Sequence, residues 1–422
     1  VLVVVSIVVA LLVGATALLG VALASVHRRH HPRIALPPAM GVQGDLEGLA
    51  GITQGELTDG NRVTLVEDGS YLRELVELAA TATQTLHFET FLWKTGAMSA
   101  AFGEALVQAV RRGVTVRVLV DAIGSREMED EEQRALEARG VKVLRLRKPS
   151  FQTLGWLNNR THRKILVIDG RVAVLGGHCI DDRWIGGDGQ DPEVRDVSVR
   201  VEGPVVRPIQ AAFCENWMEA SATVPCGPGL FPPLSAVGSA QAHLAYVRPS
   251  GGISTVKVLH HLALRMATER LWIQTPYFLP DDRARDALIE AARRGVDVRI
   301  LTSSLETTDN RFVAHASHHR LAPLLERGVR VYHYRRTLLH SKVWTIDGSY
   351  ALIGSTNFDE RSFDLDDQVT LGVRDPELVD RIDALFVRDL AHATYVDAAE
   401  WRRRPVRRKV NDALAFVMRE QL

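Results

Sequence analysis

Residues 339–363 read LHSKVWTIDGSYALIGSTNFDERSF, and residues 161–184 read THRKILVIDGRVAVLGGHCIDDRW. In both stretches a His is followed by a Lys two residues on and then by an Asp: His162, Lys164 and Asp169 in the first, His340, Lys342 and Asp347 in the second. Each copy continues through Asp-Gly, an apolar run and a pair of small residues, Gly176-Gly177 or Gly354-Ser355. The pattern predicts a strand, a tight Asp-Gly hairpin and a second strand.

Side chains at i and i+2 of a strand share a face, so each His is expected to project with its Lys. An imidazole and an ammonium aimed at one point suit a phosphate ester. The cation neutralises its charge while the His attacks or donates a proton. Displacing an alkoxide from a phosphodiester needs an attacking group and an acid for the leaving oxygen, and two copies supply two His without a metal. A single copy would read as a strand cap and a turn; the repetition favours chemistry.

The repeat is wider than the motif. RRGVTVRVL at 111–119 returns as RRGVDVRIL at 293–301, and EARGVKVLRL at 137–146 as LERGVRVYHY at 325–334. Each Arg-Gly pair reads as a helix end, with Gly in the left-handed conformation and Arg complementing the helix dipole. Helices alternating with apolar strands imply the α/β class: two similar α/β sandwich lobes with central mixed sheets, related by a pseudo-two-fold axis, their motifs meeting between them.

His-x-Lys-x4-Asp followed by Gly-Ser-x-Asn resembles the signature of the phospholipase D superfamily. The second copy fits through Gly354, Ser355 and Asn357; the first has Gly177 in place of Ser and Cys179 in place of Asn, and a thiol cannot supply two amide hydrogens to a phosphate. Over residues 61–400, GNRVTLVEDG, ETFLW, THRKILVIDG, RDVSVRVEGP and QTPYFLPD also resemble, in order, blocks of bacterial cardiolipin synthases of the phospholipase D type. The resemblance implies transfer of a phosphatidyl group between phosphatidylglycerol molecules through a phosphohistidine on His162, with His340 as acid and base and no cofactor or metal. It implies phosphoryl contacts from Lys164, Lys342 and Asn357, with Ser355 and Gly177 in the same pocket. Asp196 is expected to hold a His in its productive tautomer. Gln368 stands where the family often has Glu, so Asp366 or Asp367 is expected to substitute. Asp169 and Asp347 belong to the catalytic motif, although their place in the turn also suits a structural role. The alternatives are hydrolysis to phosphatidic acid, a nuclease, or a lipid-binding relative without activity.

Lys plus Arg equals Asp plus Glu at 51 each, so the overall field would not draw the chain to nucleic acid, and no nucleic-acid partner is expected. Three cysteines at unpatterned spacings suggest neither a disulfide framework nor a metal site. Val1–Val26 carries no ionisable side chain and would span about 39 Å as a helix, enough for a bilayer. Arg28, Arg29 and Arg33 follow it, which orients the body toward the cytoplasm and predicts a single-pass protein of the cell membrane. His27, His30 and His31 read as juxtamembrane headgroup contacts rather than metal ligands, and His315, His318 and His319 as residues of the cleft rim or the surface. The division expected is a transmembrane helix at 1–26, a basic segment and linker at 27–60, a first lobe at 61–220, a connection at 221–243, a second lobe at 244–400 and a basic amphipathic tail at 401–422. The tail suits an anionic membrane surface. Partners are thus phosphatidylglycerol, other membrane phospholipids and the membrane itself.

Overall fold

The computed structural model describes residues 46–148, 158–186, 192–248 and 253–417, with residues 35–39 and 41 and the isolated positions Ser6, Val13, Gly14 and Thr16. The expected transmembrane helix at 1–26 and the His27, His30 and His31 cluster fall almost wholly outside the described residues. Among the described residues no helix is long and apolar enough to cross a membrane.

The first half carries β1 (Thr58–Glu67), β2 (Thr85–Thr90), β3 (Thr115–Asp121), β4 (Lys142–Leu146), β5 (Arg160–Thr161), β6 (Ile165–Ile168), β7 (Val172–Gly176), β8 (Val194–Arg195) and β9 (Val197–Glu202). The second carries β10 (Ala240–Val247), β11 (Arg270–Gln274), β12 (Asp297–Ser303), β13 (Arg330–Tyr334), β14 (Leu338–Leu339), β15 (Val343–Ile346), β16 (Tyr350–Gly354), β17 (Asp366–Arg374) and β18 (Ala393–Tyr395). Their order across the sheet is β18-β13-β12-β11-β15-β16-β17-β10-β1-β9-β7-β6-β2-β3-β4. Apart from β18 the two halves of that order are mirror copies, and they join where β1 runs antiparallel to β10. The expectation of two separate central sheets is therefore corrected: one mixed sheet runs through both halves.

Local chemistry explains the repeated turns. The helices Ala97–Arg111 and Asp282–Arg293 end in Gly113 and Gly295, whose φ of 89° and 93° is left-handed, and the next residue's N–H reaches back to Ala109 and Ala291. At the hairpins, Asp169 and Gly170 have φ of 51° and 60°, and Asp347 and Gly348 48° and 63°. Positive φ at both central positions matches the twist of the strands they join.

Each half has its own core on the outer helices, and a third apolar cluster is shared: Ile165, Val167 and Leu175 of the first half pack with Ile353, Val369 and Leu371 of the second. Burial on both sides of that junction makes the halves one body. Two expected boundaries also move. The helix Leu46–Ile52 buries Leu46 and Leu49 in the second half's core, and β1 starts at Thr58, so residues 46–60 are folded rather than linker. β10 starts at Ala240, inside the segment read as a connection.

Candidate active site

Both His-x-Lys segments lie just before the hairpins, between β5 and β6 and between β14 and β15, rather than inside a ladder. What holds them is the opposite half. β5 pairs in parallel with the start of β17, and β14 with β8. The His162 N–H donates to the Asp367 carbonyl at 2.9 Å, and the His340 N–H to the Arg195 carbonyl at 2.7 Å. Each His is thus pinned by the residue that precedes the other half's orienting side chain.

Those orienting side chains differ. The His340 Nδ1–H donates to Asp196 Oδ2 at 2.7 Å, and the same carboxylate accepts Trp184 Nε1–H at 3.0 Å and the Val197 N–H at 2.8 Å. The His162 Nδ1–H donates to Gln368 Oε1 at 3.2 Å, and that oxygen also accepts the Ser355 hydroxyl at 2.6 Å. Both imidazoles use Nδ1 for orientation, which leaves both Nε2 atoms for a substrate. Lys164 donates to the His162 carbonyl at 2.8 Å, and the Lys342 Nζ lies 2.9 Å from His340 Nδ1. Phe91 meets His162 edge to face, and Trp184 does the same to His340.

The site is dry and cationic. Burial first, then the Lys164, Lys342 and His340 charges, hold His162 well below the ordinary imidazole range. Burial and Lys342 hold His340 down at about 4, with Asp196 opposing them. Burial lowers Lys342 to about 7 and also lowers Lys164. Burial alone would raise Asp196, but His340 and His178 outweigh it and keep the carboxylate ionised far below its usual range. An anion entering between the two Lys would relieve this repulsion, which is the electrostatic form of a phosphate site.

Several expected site residues stand elsewhere. The Asp169 carboxylate accepts the N–H groups of Thr83, Gln84 and Thr85 and the Thr83 hydroxyl at 2.7–2.9 Å. Asp347 does the same for Thr268, Glu269 and Arg270. Each therefore caps the start of β2 or β11, five residues or about 16 Å of strand from its Lys; these hydrogen bonds give both carboxylates a structural place apart from the His-Lys pairs. Among the described residues, the Asp367 carboxylate meets no His. It takes Arg147 at 3.0 Å and Asn216 at 3.2 Å, and Asn216 also donates to Glu89, which accepts Thr161 beside His162. The matching network behind His340 joins Gln274 and Arg195 to Asp389. The Ser355 hydroxyl donates to Gln368 and accepts the Val369 N–H, so it braces the partner of His162. Gly177 is the counterpart of Ser355, and a Cβ there would overlap the Asp196 carboxylate. Asn357 is buried, and its Oδ1 has no partner among the described residues. Cys179 is buried and bonds weakly to the Gly177 carbonyl.

Sequence reasoning missed Gln368 as the partner of His162. Gln368 stands at the position where an acidic residue is expected, and it is passed over for Asp366 or Asp367 when a carboxylate is sought there; an amide oxygen accepts the imidazole N–H as well. Trp272, and Phe278 and Leu279 of the QTPYFLP block, are core, while Phe91 of ETFLW faces the site.

A family model described as "Cardiolipin synthase, PLD-like domain" matches residues 75–191 and 262–390. Cardiolipin synthase A of Pseudomonas putida is 31% identical over 81% of this chain and 71% of its own length. The chain belongs to this phospholipase D-like cardiolipin synthase family. It is thereby an enzyme of the phospholipase D-type phosphatidyltransferase class. A cardiolipin synthase of Geobacillus kaustophilus is 30% identical over 80% of this chain and 67% of its own. In fold the chain is similar to the phosphatidylserine synthase of Haemophilus influenzae Rd KW20, with a TM-score of 0.64 at 12% identity over 85% of this chain and 95% of the other. Polyphosphate kinase of Porphyromonas gingivalis gives 0.53 at 15% identity over 87% and 52%. In this chain the fold brings the two His-Lys pairs close enough for their charges to act on one another.

Proposed function

We propose that the chain transfers the phosphatidyl group of one phosphatidylglycerol to a headgroup hydroxyl of a second, giving cardiolipin and glycerol. His162 Nε2 attacks phosphorus, the bond to the glycerol oxygen breaks, and that oxygen takes a proton from His340 Nε2. The hydroxyl of the second phosphatidylglycerol then gives its proton to His340 and attacks the phosphohistidine, which frees His162. Lys164, Lys342 and Asn357 hold the phosphoryl oxygens, and Asp196 and Gln368 hold the two imidazoles.

The single observation that carries the division of roles is that, among the described residues, a carboxylate partners only one of the two His. Without phosphate, burial and Lys342 hold His340 low as well; a bound phosphate offsets the Lys342 charge, and Asp196 then stabilises an imidazolium at His340, which makes that ring the proton carrier. Gln368 gives His162 a neutral partner, and burial with the surrounding cations keeps it unprotonated, with its Nε2 lone pair available to attack. We place the enzyme in the cell membrane, anchored by Val1–Val26 with its body toward the cytoplasm, where bilayer phosphodiesters can reach the cleft.

The test is to supply labelled phosphatidylglycerol to the full chain and resolve the lipid products beside a His162→Ala control. Cardiolipin that depends on His162 supports the transferase. Phosphatidic acid as the sole product would move the reading to hydrolysis.

A further inference from the structure

The last described helix, Val406–Val417, is clasped to the body by one face and leaves the other bare. Asp412 is buried; its Oδ1 accepts His315 Nδ1 at 2.8 Å, and its Oδ2 accepts Arg404 Nη1 at 2.7 Å. One helical turn on, Phe416 stacks on His319 and lies under the Arg320 guanidinium. Three potential metal donors meet here, His315, His318 and Asp412. The Arg404 ion pair on Asp412 and the further charge of Arg408 acting on His318 make the spot a clasp rather than a cation site.

The opposite face carries Val406, Val410, Leu414 and Val417, all between 49% and 74% exposed. Their spacing of four, four and three puts them in one stripe. At about 100° per residue, Arg407 and Lys409 fall on either side of it, and Arg402 and Arg403 are exposed just before the helix. An apolar stripe edged by cations is complementary to an anionic bilayer surface, with acyl chains under the stripe and phosphates beside the basic groups.

The position adds a second reason. The clasp runs along the helix Arg311–Leu325, with His315 against Asp412 and His319 against Phe416, so the two helices run in the same direction and their starts lie together. The start of Arg311–Leu325 adjoins the cleft. Asp309, just before it, accepts the Tyr277 hydroxyl at 2.5 Å and is close enough for its charge to act on Lys342. Phe312 is exposed at the same place.

We infer that the Val406–Val417 helix is a membrane-contacting surface that seats the cleft mouth on anionic phospholipid headgroups. The inference rests on the reading that the substrates are bilayer phospholipids. It is tested with the full chain on two substrates: phosphatidylglycerol vesicles and a short-chain phosphatidylglycerol dispersed as monomers. Val410→Gln with Leu414→Gln should lower turnover on vesicles about tenfold and leave turnover on the monomeric lipid within about twofold. A second variant, Arg403→Gln with Arg407→Gln and Lys409→Gln, should lower vesicle turnover and flatten its dependence on salt. If the first variant loses both activities through misfolding, the second decides. Unchanged vesicle turnover in the charge variant overturns the inference, as does a change of oligomeric state in either variant with vesicle turnover retained. Failure of the wild-type chain on both lipids would instead sink the proposed reaction itself.

Discussion

Asp196, from the first half of the chain, accepts the Nδ1–H of His340, from the second, at 2.7 Å, and the reciprocal place beside His162 holds Gln368. The cleft is symmetric in backbone and asymmetric in charge. Asp196→Asn keeps the shape and removes the charge that lets His340 carry a proton. It should lower turnover of phosphatidylglycerol by roughly 10²–10⁴-fold, the usual contribution of general acid–base catalysis. Gln368→Glu should act on the other His. A carboxylate there raises the proton affinity of His162, so the acid limb of the pH–rate profile should move to higher pH. An acid limb that stays in place would argue against His162 as the neutral nucleophile.

Gly177→Ser would make the first motif look like the second, yet it should damage the enzyme. The added Cβ overlaps the Asp196 carboxylate and must push it away from His340. Activity should fall about tenfold or more while thermal stability changes little, since the site is small beside the core. Steady-state rates and a melting curve on the same preparation separate these effects. Wild-type activity in this variant would show that Asp196 has room to move.

Burial holds Lys342 at about 7 in the empty site. Its ammonium is present below that value and lost as pH rises through it. The affinity for a dialkyl phosphate, whose own charge is fixed in this range, should therefore weaken as pH rises from 6 to 8, by at most about tenfold per unit if one proton is linked. Calorimetric titration across that range measures it, and Lys342→Met should flatten the dependence.

Asp169 should matter to folding rather than turnover. Burial would raise its carboxyl, but four hydrogen bonds outweigh burial and lower it. A lowered folded-state pKa means that its stabilisation is present above the ordinary Asp value of about 3.9 and is lost as pH falls through the folded value. Asp169→Ala leaves three backbone N–H groups without their acceptor and should cost about 2–4 kcal/mol. Denaturant unfolding should show this loss while the rate per folded molecule stays within a few-fold.

The repeat made the architecture legible in the sequence. Two His-x-Lys motifs, each followed by Asp-Gly, fixed the hairpins, and the repeated Arg-Gly blocks fixed the helix ends. Less legible was everything that crosses between the halves. That His162 leans on Gln368 and His340 on Asp196 follows from short parallel pairings of β5 with β17 and of β8 with β14, contacts 206 and 144 positions apart for which a linear pattern carries no signal. Asp169 and Asp347 were placed with the catalytic groups because they share a motif with them. The strand between Lys164 and Asp169 separates them in space, and proximity in sequence along a strand is distance, not contact. The edge-to-edge joining of the two sheets at β1 and β10 was equally hidden, because an edge strand and a central strand can share the same alternation.

The most direct test of the account is leaving-group rescue. A phosphatidyl ester of p-nitrophenol needs no proton on departure, so His340→Ala should still release p-nitrophenolate in a burst equal to the enzyme present and leave a label on the peptide containing His162. His162→Ala should give no burst with this substrate or with phosphatidylglycerol. A burst from His162→Ala, with the label on His340, would contradict the assignment of nucleophile and acid and reverse the roles of the two halves.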